Sequence, residues 1–334
     1  MARIRRPGLL VPAAALALSG CGSPQDTLDP HSPQSGDIAA LWWWMLAVAG
    51  AVFLGALAML GLAWLRRSRR GLPFFGESER ATTGLVVAFG MVIPATVLVA
   101  LFGVADLYLI KRTSAPAAGS SAMTVDVVGH QWFWEVRYPG TRAVTANEIH
   151  IPARTPVRVV ATTADVIHSF WVPELNRKVD TIPGQRNSVL LYADEPGTYR
   201  GQCAEFCGLQ HAHMGLAVVA QPRARFRAWL ERQARPAAPP SAARARRGRR
   251  VFMANACSDC HTIRGTPAQG KVGPDLTHVA GRSTLAALTI PNAPRELAAW
   301  IRDPQAVKPG NRMPGLRLSP RQVGELVAYL EHLR

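Results

Sequence analysis

Acidic residues and cysteine are scarce in this sequence. It contains 22 Asp and Glu residues against 38 Lys and Arg residues, so its formal net charge is +16 at pH 7. A balance this basic leaves nucleic acid, an acidic protein or anionic lipid as partners to consider. With only five cysteines, a disulfide framework would leave one cysteine unpaired. No internal repeat is present, so a repeat array is excluded. The 334 residues are enough for two or three domains, and apolar residues concentrate before residue 111.

Residues 1–20 have the form of a bacterial export signal. Three arginines at residues 3–6 precede an apolar run at residues 9–18. The sequence LSGC at residues 18–21 resembles a lipobox, which implies cleavage before Cys21 and lipid attachment to it at the outer leaflet. The alternative is an ordinary signal peptide in which this cysteine occurs by chance. Export makes nucleic acid an implausible partner in both cases.

Two long apolar runs, at residues 41–65 and 82–110, are each able to cross about 30 Å of hydrocarbon as a helix. The connection between them contains the basic sequence RRSRR at residues 66–70. Positive charge in a short loop favours the cytoplasmic side, so residues 41–110 are predicted to form a transmembrane hairpin with both ends outside. Residues 21–40 are then an external N-terminal segment.

Residues 123–234 have the pattern of an all-β sandwich or barrel. Short β-prone runs, separated by Gly and Pro, occur at residues 124–128, 132–138, 156–161 and 187–192. An amphipathic helix at residues 223–234 closes the domain.

Residues 235–243 (RPAAPPSAA) are proline-rich and predict a semi-rigid linker. Helical patterns return at residues 244–255, 294–302 and 319–333, so residues 244–334 are predicted to be an all-α domain. The last helix has Ser319 as its N-cap, with Gln322 completing a capping box.

The segment at residues 201–214 is dense in soft metal ligands. They are Cys203, Cys207, His211 and Met214. Two thiolates can bridge two copper ions, an imidazole and a thioether can cap them, and a second imidazole must come from elsewhere, with His168 as the candidate. A structural zinc site is one alternative, but the spacing differs from the usual fingers and Met214 would be idle. A disulfide between the two cysteines is another.

The pattern C-x-x-x-C-x-x-x-H-x-x-M, with a histidine well upstream, resembles subunit II of the haem-copper cytochrome c oxidases. The resemblance implies a cupredoxin-like fold and a dinuclear copper centre. The implied ligands are His168, Cys203, Glu205 through its carbonyl, Cys207, His211 and Met214. In that family the glutamate side chain also reaches a magnesium ion beside subunit I, so magnesium is implied at Glu205. His213 is expected to be a non-ligand.

The sequence GHQWFW at residues 129–134 is a second mark of the family. Three aromatic residues in a strand are ordinarily core residues. The resemblance gives Trp132 a further role, because the first tryptophan of this segment lies near the copper in the family and receives electrons. Lys178 and Asp180 similarly match positions that face subunit I.

The sequence CSDCH at residues 257–261 is a C-x-x-C-H haem-attachment motif. The thiols of Cys257 and Cys260 can form thioethers with haem, and His261 can ligate the iron from one face. A thioredoxin-like C-x-x-C is the alternative, but the context has no βαβ pattern.

The second axial ligand of the haem must come from downstream. Met313 is the candidate because it lies in a loop between two predicted helices, as in class I cytochromes c, which residues 244–334 resemble. His278 is the rival ligand. With every cysteine assigned to lipid, copper or haem, no structural disulfide is expected.

Together these resemblances imply the subunit through which electrons reach a terminal respiratory oxidase. An external donor, such as a cytochrome c or the upstream respiratory complex, reduces the covalent haem c. Electrons then pass through the dicopper centre to haem in subunit I, where oxygen becomes water. The implied location is the bacterial inner membrane, beside subunit I and other membrane subunits, with the copper and haem domains on the periplasmic side. The fused cytochrome raises the effective concentration of the donor.

One departure from the family pattern keeps an alternative open. Val87 stands where many members have a glutamate that feeds a proton channel, and Glu77 and Glu79 lie too far back to substitute. An electron-accepting subunit of a copper-containing nitric oxide reductase therefore stays possible. From a different class, a membrane-anchored copper-delivery protein would have a thioredoxin-like fold and no use for Met214, Glu205 or a haem.

Overall fold

The computed structural model describes residues 25–66, 78–115 and 123–334. Two long helices come first: α1 (Pro33–Arg66) and α2 (Glu79–Thr113), which contains two π-helical stretches. At about 1.5 Å per residue each is about 50 Å long. Both are long and apolar enough to cross a membrane. The lipobox and most of the basic loop lie outside the described residues.

The helices extend beyond the predicted apolar runs at the end that faces the β domain. Helix α1 begins at Pro33, so the last part of the predicted external segment is helical. Its start is held by Ser35 Oγ, which donates to the Glu174 carbonyl at 2.7 Å. At the same end, Arg112 Nε lies 2.8 Å from Asp37 Oδ2 and so joins α2 to α1. Hydropathy could not show these ends, because polar contacts with the next domain stabilise them.

The β domain is a sandwich of two five-stranded sheets, which confirms the all-β prediction. Its strands are β1 (Met123–His130), β2 (Phe133–Arg137), β3 (Val144–Ala146), β4 (Glu148–Pro152), β5 (Val157–Thr163), β6 (His168–Trp171), β7 (Val179–Thr181), β8 (Asn187–Leu191), β9 (Gly197–Cys203) and β10 (Gly215–Gln221). The strand orders are β3-β2-β1-β5-β8 and β4-β10-β9-β6-β7. Alternate residues of β1 and β9 are buried, as two packed sheets require. Helix α3 (Arg223–Gln233) follows, with Phe226 buried against Tyr138.

The C-terminal domain is helical, as predicted. Its helices are α4 (Ala243–Met253), α5 (Cys257–Cys260), α6 (Pro294–Arg302), α7 (Pro304–Val307) and α8 (Pro320–Leu330), and a short hairpin pairs β11 (Thr284–Leu285) with β12 (Ile290–Pro291). Helices α4 and α8 cross so closely that a Cβ atom at Gly248 would lie 1.9 Å from the Glu325 carbonyl oxygen. The capping box at Ser319 and Gln322 is present.

The proline-rich segment at residues 235–243 packs against the helical domain. Ala237 N donates to the Arg264 carbonyl at 2.9 Å, and His278 Nε2 lies 2.9 Å from the Arg235 carbonyl oxygen. A direct contact joins the two soluble domains, because Ser283 N donates to Glu148 Oε1 at 2.7 Å. This contact brings the helical domain against the sandwich.

Candidate metal and haem sites

Strand pairing and one loop bring the predicted copper ligands together. His168 is the first residue of β6 and Cys203 the last residue of β9, and these strands are antiparallel neighbours with Phe170 opposite Cys203. The loop from β9 to β10 carries the other ligands, and Cys203 N donates to the Met214 carbonyl at 3.0 Å to close it. The upstream histidine therefore lies beside a ligand 35 residues away in the chain.

The side chains form two sets around a pair of sulfur atoms. Cys203 Sγ lies 3.8 Å from Cys207 Sγ and 3.9 Å from His168 Nδ1. Cys207 Sγ lies 3.7 Å from both His211 Nδ1 and Met214 Sδ. The Glu205 carbonyl oxygen lies 3.2 Å from Cys203 Sγ. Thiolate, imidazole and thioether at these separations form a donor set that fits copper.

The centre of this cluster is dry. His168 is fully buried, and Cys203, Cys207 and Met214 are each at most 3% exposed. The sulfur–sulfur distance is far longer than the roughly 2.05 Å of a disulfide, and both cysteines are free. Their hydrogen bond lowers the pKa of Cys203 and raises that of Cys207. A metal that binds both sulfur atoms as thiolates must displace the thiol proton.

Asp165 orients the buried imidazole, a role that no sequence pattern indicated. Its Oδ1 atom accepts a hydrogen bond of 2.9 Å from His168 Nε2, which leaves Nδ1 directed at the sulfur atoms. Burial raises the pKa of Asp165, but hydrogen bonds from His168 and the Gln131 backbone outweigh that effect and hold its pKa below the usual range. Asp165 is therefore an anionic support for the ligand.

A mostly apolar cavity lies between the helical domain and the β sandwich, and residues of both domains line it. Cys257, Cys260, His261 and Met313 all line it. His261 Nδ1 donates to the Pro274 carbonyl at 2.8 Å, so Nε2 is the nitrogen left for a metal. Burial lowers the pKa of His261, which favours the neutral ring that ligation requires. This arrangement fits a covalently attached haem with one histidine ligand.

The two candidates for the other axial position differ in their surroundings. Met313 lines the cavity, and its backbone N–H donates to Asn311 Oδ1 at 2.8 Å. His278 is buried at the Arg235 carbonyl instead, and it is not one of the described residues that line the cavity. The geometry favours the methionine.

Arg282 is a buried cation in the wall of this mostly apolar cavity. It is 9% exposed, its guanidinium donates to the Asp275 carbonyl, and its Nε atom has no hydrogen-bond partner. Burial lowers the pKa of this guanidinium, and the nearby carboxylates of Asp275 and Glu148 offset part of that effect. A haem carboxylate would be a further anion for this group.

Comparison with known proteins identifies the family. Residues 141–221 match the family model described as cytochrome C oxidase subunit II, periplasmic domain, and residues 245–334 match that of cytochrome c. The chain is 33% identical over 331 residues to cytochrome c oxidase subunit 2 of Alkalihalophilus pseudofirmus, covering 96% of this chain and 94% of the relative. The chain belongs to the cytochrome c oxidase subunit 2 family.

The chain is also similar to a second relative and to one solved structure. Cytochrome c oxidase subunit 2 of Bacillus subtilis is 27% identical, covering 98% of this chain and 97% of the relative. The crystal structure of the periplasmic domain of subunit II of cytochrome oxidase of Bradyrhizobium japonicum is 31% identical over 34% of this chain and 95% of that chain, with a TM-score of 0.33. Membership of the cytochrome c oxidase subunit 2 family implies copper in the β domain, haem c in the helical domain and assembly with other oxidase subunits.

Trp132 lies between the two sites. It lines the haem cavity, and its Nε1 atom donates to the Cys207 carbonyl at 3.0 Å. Gln131 Nε2 donates to the same carbonyl at 2.7 Å. Trp132 therefore contacts both the cavity and the backbone of a copper-ligand candidate.

The remaining predicted positions lie around the copper cluster or outside the described residues. A groove beside Cys203 is lined by Lys178 of the soluble domain and by Leu109 of α2. Asp180 accepts a hydrogen bond of 2.7 Å from Ser169. Cys21 lies outside the described residues, so its lipidation stays a prediction. The copper-delivery alternative required a thioredoxin-like fold, and the β sandwich differs from it.

Proposed function

We propose that this chain receives electrons for a terminal respiratory oxidase and passes them to haem in subunit I. Bound haem c and a dinuclear copper centre would supply the one-electron redox chemistry. The external donor would be a cytochrome c or the upstream respiratory complex. Oxygen would be reduced to water in subunit I, because this chain holds no candidate for that site among its described residues.

The observation that carries this proposal is the position of Trp132. Trp132 lines the haem cavity, and its indole Nε1 atom is hydrogen-bonded to the Cys207 carbonyl. An electron leaving the cavity would therefore have a route through Trp132 and one hydrogen bond to the backbone of a proposed copper ligand.

The two-sided ligand arrangement supports two copper ions rather than one. The bridging thiolates would be Cys203 and Cys207, each with its own imidazole nitrogen within 3.9 Å. The thioether of Met214 and the carbonyl of Glu205 would complete the set. Low exposure excludes water and so limits reorganisation of the ligands when the charge changes.

His261 and Met313 would ligate the haem iron, and Cys257 and Cys260 would hold the haem covalently. The Pro274 carbonyl fixes the histidine ring, and Asn311 fixes the backbone of the methionine. A His/Met pair suits electron transfer.

The helix ends support a membrane arrangement in which both soluble domains lie on one side. Asn176 of the β domain donates to the Thr113 carbonyl at 3.0 Å, at the end of α2, and the start of α1 lies at the same end. The basic sequence at residues 66–70 favours the cytoplasm for the opposite end, so both soluble domains would lie on the periplasmic side of the bacterial inner membrane. The groove lined by Lys178 would face subunit I, where the Glu205 side chain would reach magnesium.

Metal and haem analysis of the detergent-solubilised full chain, produced with copper and haem-attachment machinery, tests the assignment. Two copper ions that share one unpaired electron in the EPR spectrum, beside one covalent haem, support it. One copper, zinc or no metal would contradict the dicopper centre. In the assembled complex, oxygen uptake with a reduced donor supports an oxidase, whereas nitric oxide reduction without oxygen uptake supports the nitric oxide reductase alternative.

A further inference from the structure

Lys308 is a buried lysine at the boundary between the two soluble domains. It follows α7 in the cytochrome c domain and is only 3% exposed. Lysine is rarely buried without a partner, because removing an ammonium group from water is costly. Burial lowers the pKa of Lys308 to about 8. Such a position requires a compensating interaction.

The contacts of Lys308 cross from one domain to the other. Its Nζ atom donates to the Trp132 carbonyl at 3.0 Å and to the Ala286 carbonyl at 3.3 Å. The first acceptor belongs to the copper domain and the second to the cytochrome c domain. Among the described residues, no carboxylate forms an ion pair with this lysine. Backbone carbonyls alone therefore hold the ammonium group.

The loop that contains Lys308 makes further contacts of the same kind. Gln210 Nε2 donates to the Pro309 carbonyl, and the Arg312 guanidinium donates to Gln131 Oε1. The Arg312 guanidinium carbon also lies 6.0 Å from the centre of the Trp132 ring. These partners lie close to copper-ligand candidates. Gln210 directly precedes His211, and Gln131 and Trp132 both hydrogen-bond to the Cys207 carbonyl. The same loop carries Met313.

We propose that Lys308 is a positioning residue for electron transfer between the two redox domains. By binding the Trp132 carbonyl, it fastens the Met313 loop to the copper domain and keeps the indole in the wall of the haem cavity. Lys308 contacts no copper ligand directly and acts through Trp132. This inference rests on the proposed function.

Three variants of the full chain in the assembled oxidase test the role. Lys308→Met keeps the length of the side chain but removes its N–H donors. Lys308→Gln is shorter but keeps an N–H donor for a carbonyl. Lys271→Met is the matched control, because Lys271 is an exposed lysine of the same domain.

The measurement is the rate of electron transfer from haem c to copper after photochemical reduction of the haem. We expect Lys308→Met to slow this step by about tenfold, a factor that corresponds to about 1.4 kcal/mol. Lys308→Gln should recover part of the rate, and Lys271→Met should match the unmodified protein. The haem spectrum and the copper EPR signal should be the same in all four proteins. Because Lys308 is a buried cation that lines the haem cavity, Lys308→Met should also make the haem potential more negative, which by itself favours transfer to copper, so a slower rate reports lost positioning.

Two results would overturn the role of Lys308. One is an unchanged rate in Lys308→Met. The other is a loss of methionine ligation in its haem spectrum, which would make Lys308 a structural residue of the loop. If the unmodified protein shows no transfer from haem to copper, the proposed function itself fails, and this outcome is distinct from both.

Discussion

The Gly273→Ala substitution is expected to displace His261, the histidine proposed to ligate haem. A Cβ atom at Gly273 would lie 2.4 Å from Cε1, 2.7 Å from Nδ1 and 3.0 Å from Nε2 of His261. Carbon atoms pack favourably at about 3.5–4.0 Å, so the ring or the residue 273 backbone must move by about 1 Å. Such a movement breaks the hydrogen bond of 2.8 Å from His261 Nδ1 to the Pro274 carbonyl.

The size of the effect follows from these two losses. Overpacking costs about 1–3 kcal/mol, and loss of one hydrogen bond costs about 0.5–1.5 kcal/mol. The cytochrome c domain should therefore lose about 1.5–4.5 kcal/mol of its free energy of unfolding. For a domain of about 60–100 residues, 1 kcal/mol lowers Tm by about 4–8 °C, so we expect a decrease of at least about 6 °C.

Thermal unfolding of the haem-loaded protein, followed at the haem absorbance, measures this decrease, and a redox titration measures the accompanying change in haem potential. Gly281→Ala is the control, because a Cβ atom at Gly281 would meet no atom within 4 Å. If Gly273→Ala has the Tm and the haem potential of the unmodified protein, the close packing of residue 273 on the imidazole ring is refuted.

Three further changes test the two sites. Asp165→Asn removes the carboxylate that orients His168, so the affinity for copper should fall by about 10–100-fold. A competition titration with a chelator measures this affinity, and an unchanged value would contradict the supporting role of Asp165. Trp132→Phe removes the N–H donor to the Cys207 carbonyl, a hydrogen bond worth about 0.5–1.5 kcal/mol. Electron transfer from haem to copper, measured by flash photolysis, should become slower while the haem and copper spectra stay the same. A rate equal to that of the unmodified protein would exclude this route. Arg282→Met removes a buried positive charge from the haem cavity, so the haem potential should become more negative, because oxidised iron is then less destabilised. Exposed Arg302→Met should leave the potential unchanged, and equal potentials in all three proteins would exclude Arg282 from the haem environment.

Local patterns predicted most of the architecture. The apolar runs, the alternating strands of the β domain and the helices at residues 294–302 and 319–333 depend on side chains close together in the chain. Hydropathy placed the start of α1 too late, because Ser35 is polar and its stabilising partner is the distant Glu174 carbonyl. The linker at residues 235–243 was predicted from its proline-rich composition, and composition could not show that this segment hydrogen-bonds to Arg264 and His278.

By itself, the sequence determined which chemical groups are available. The copper-ligand loop and the C-x-x-C-H motif each lie within a few residues, so their spacing alone specifies the donor types. Tertiary structure decided which distant groups join them. Pairing of β6 with β9 places His168 at Cys203, the supporting Asp165 follows, and packing of the two domains buries Lys308 at Trp132. These contacts depend on pairing and docking between segments far apart in the chain, and no local spacing encodes them.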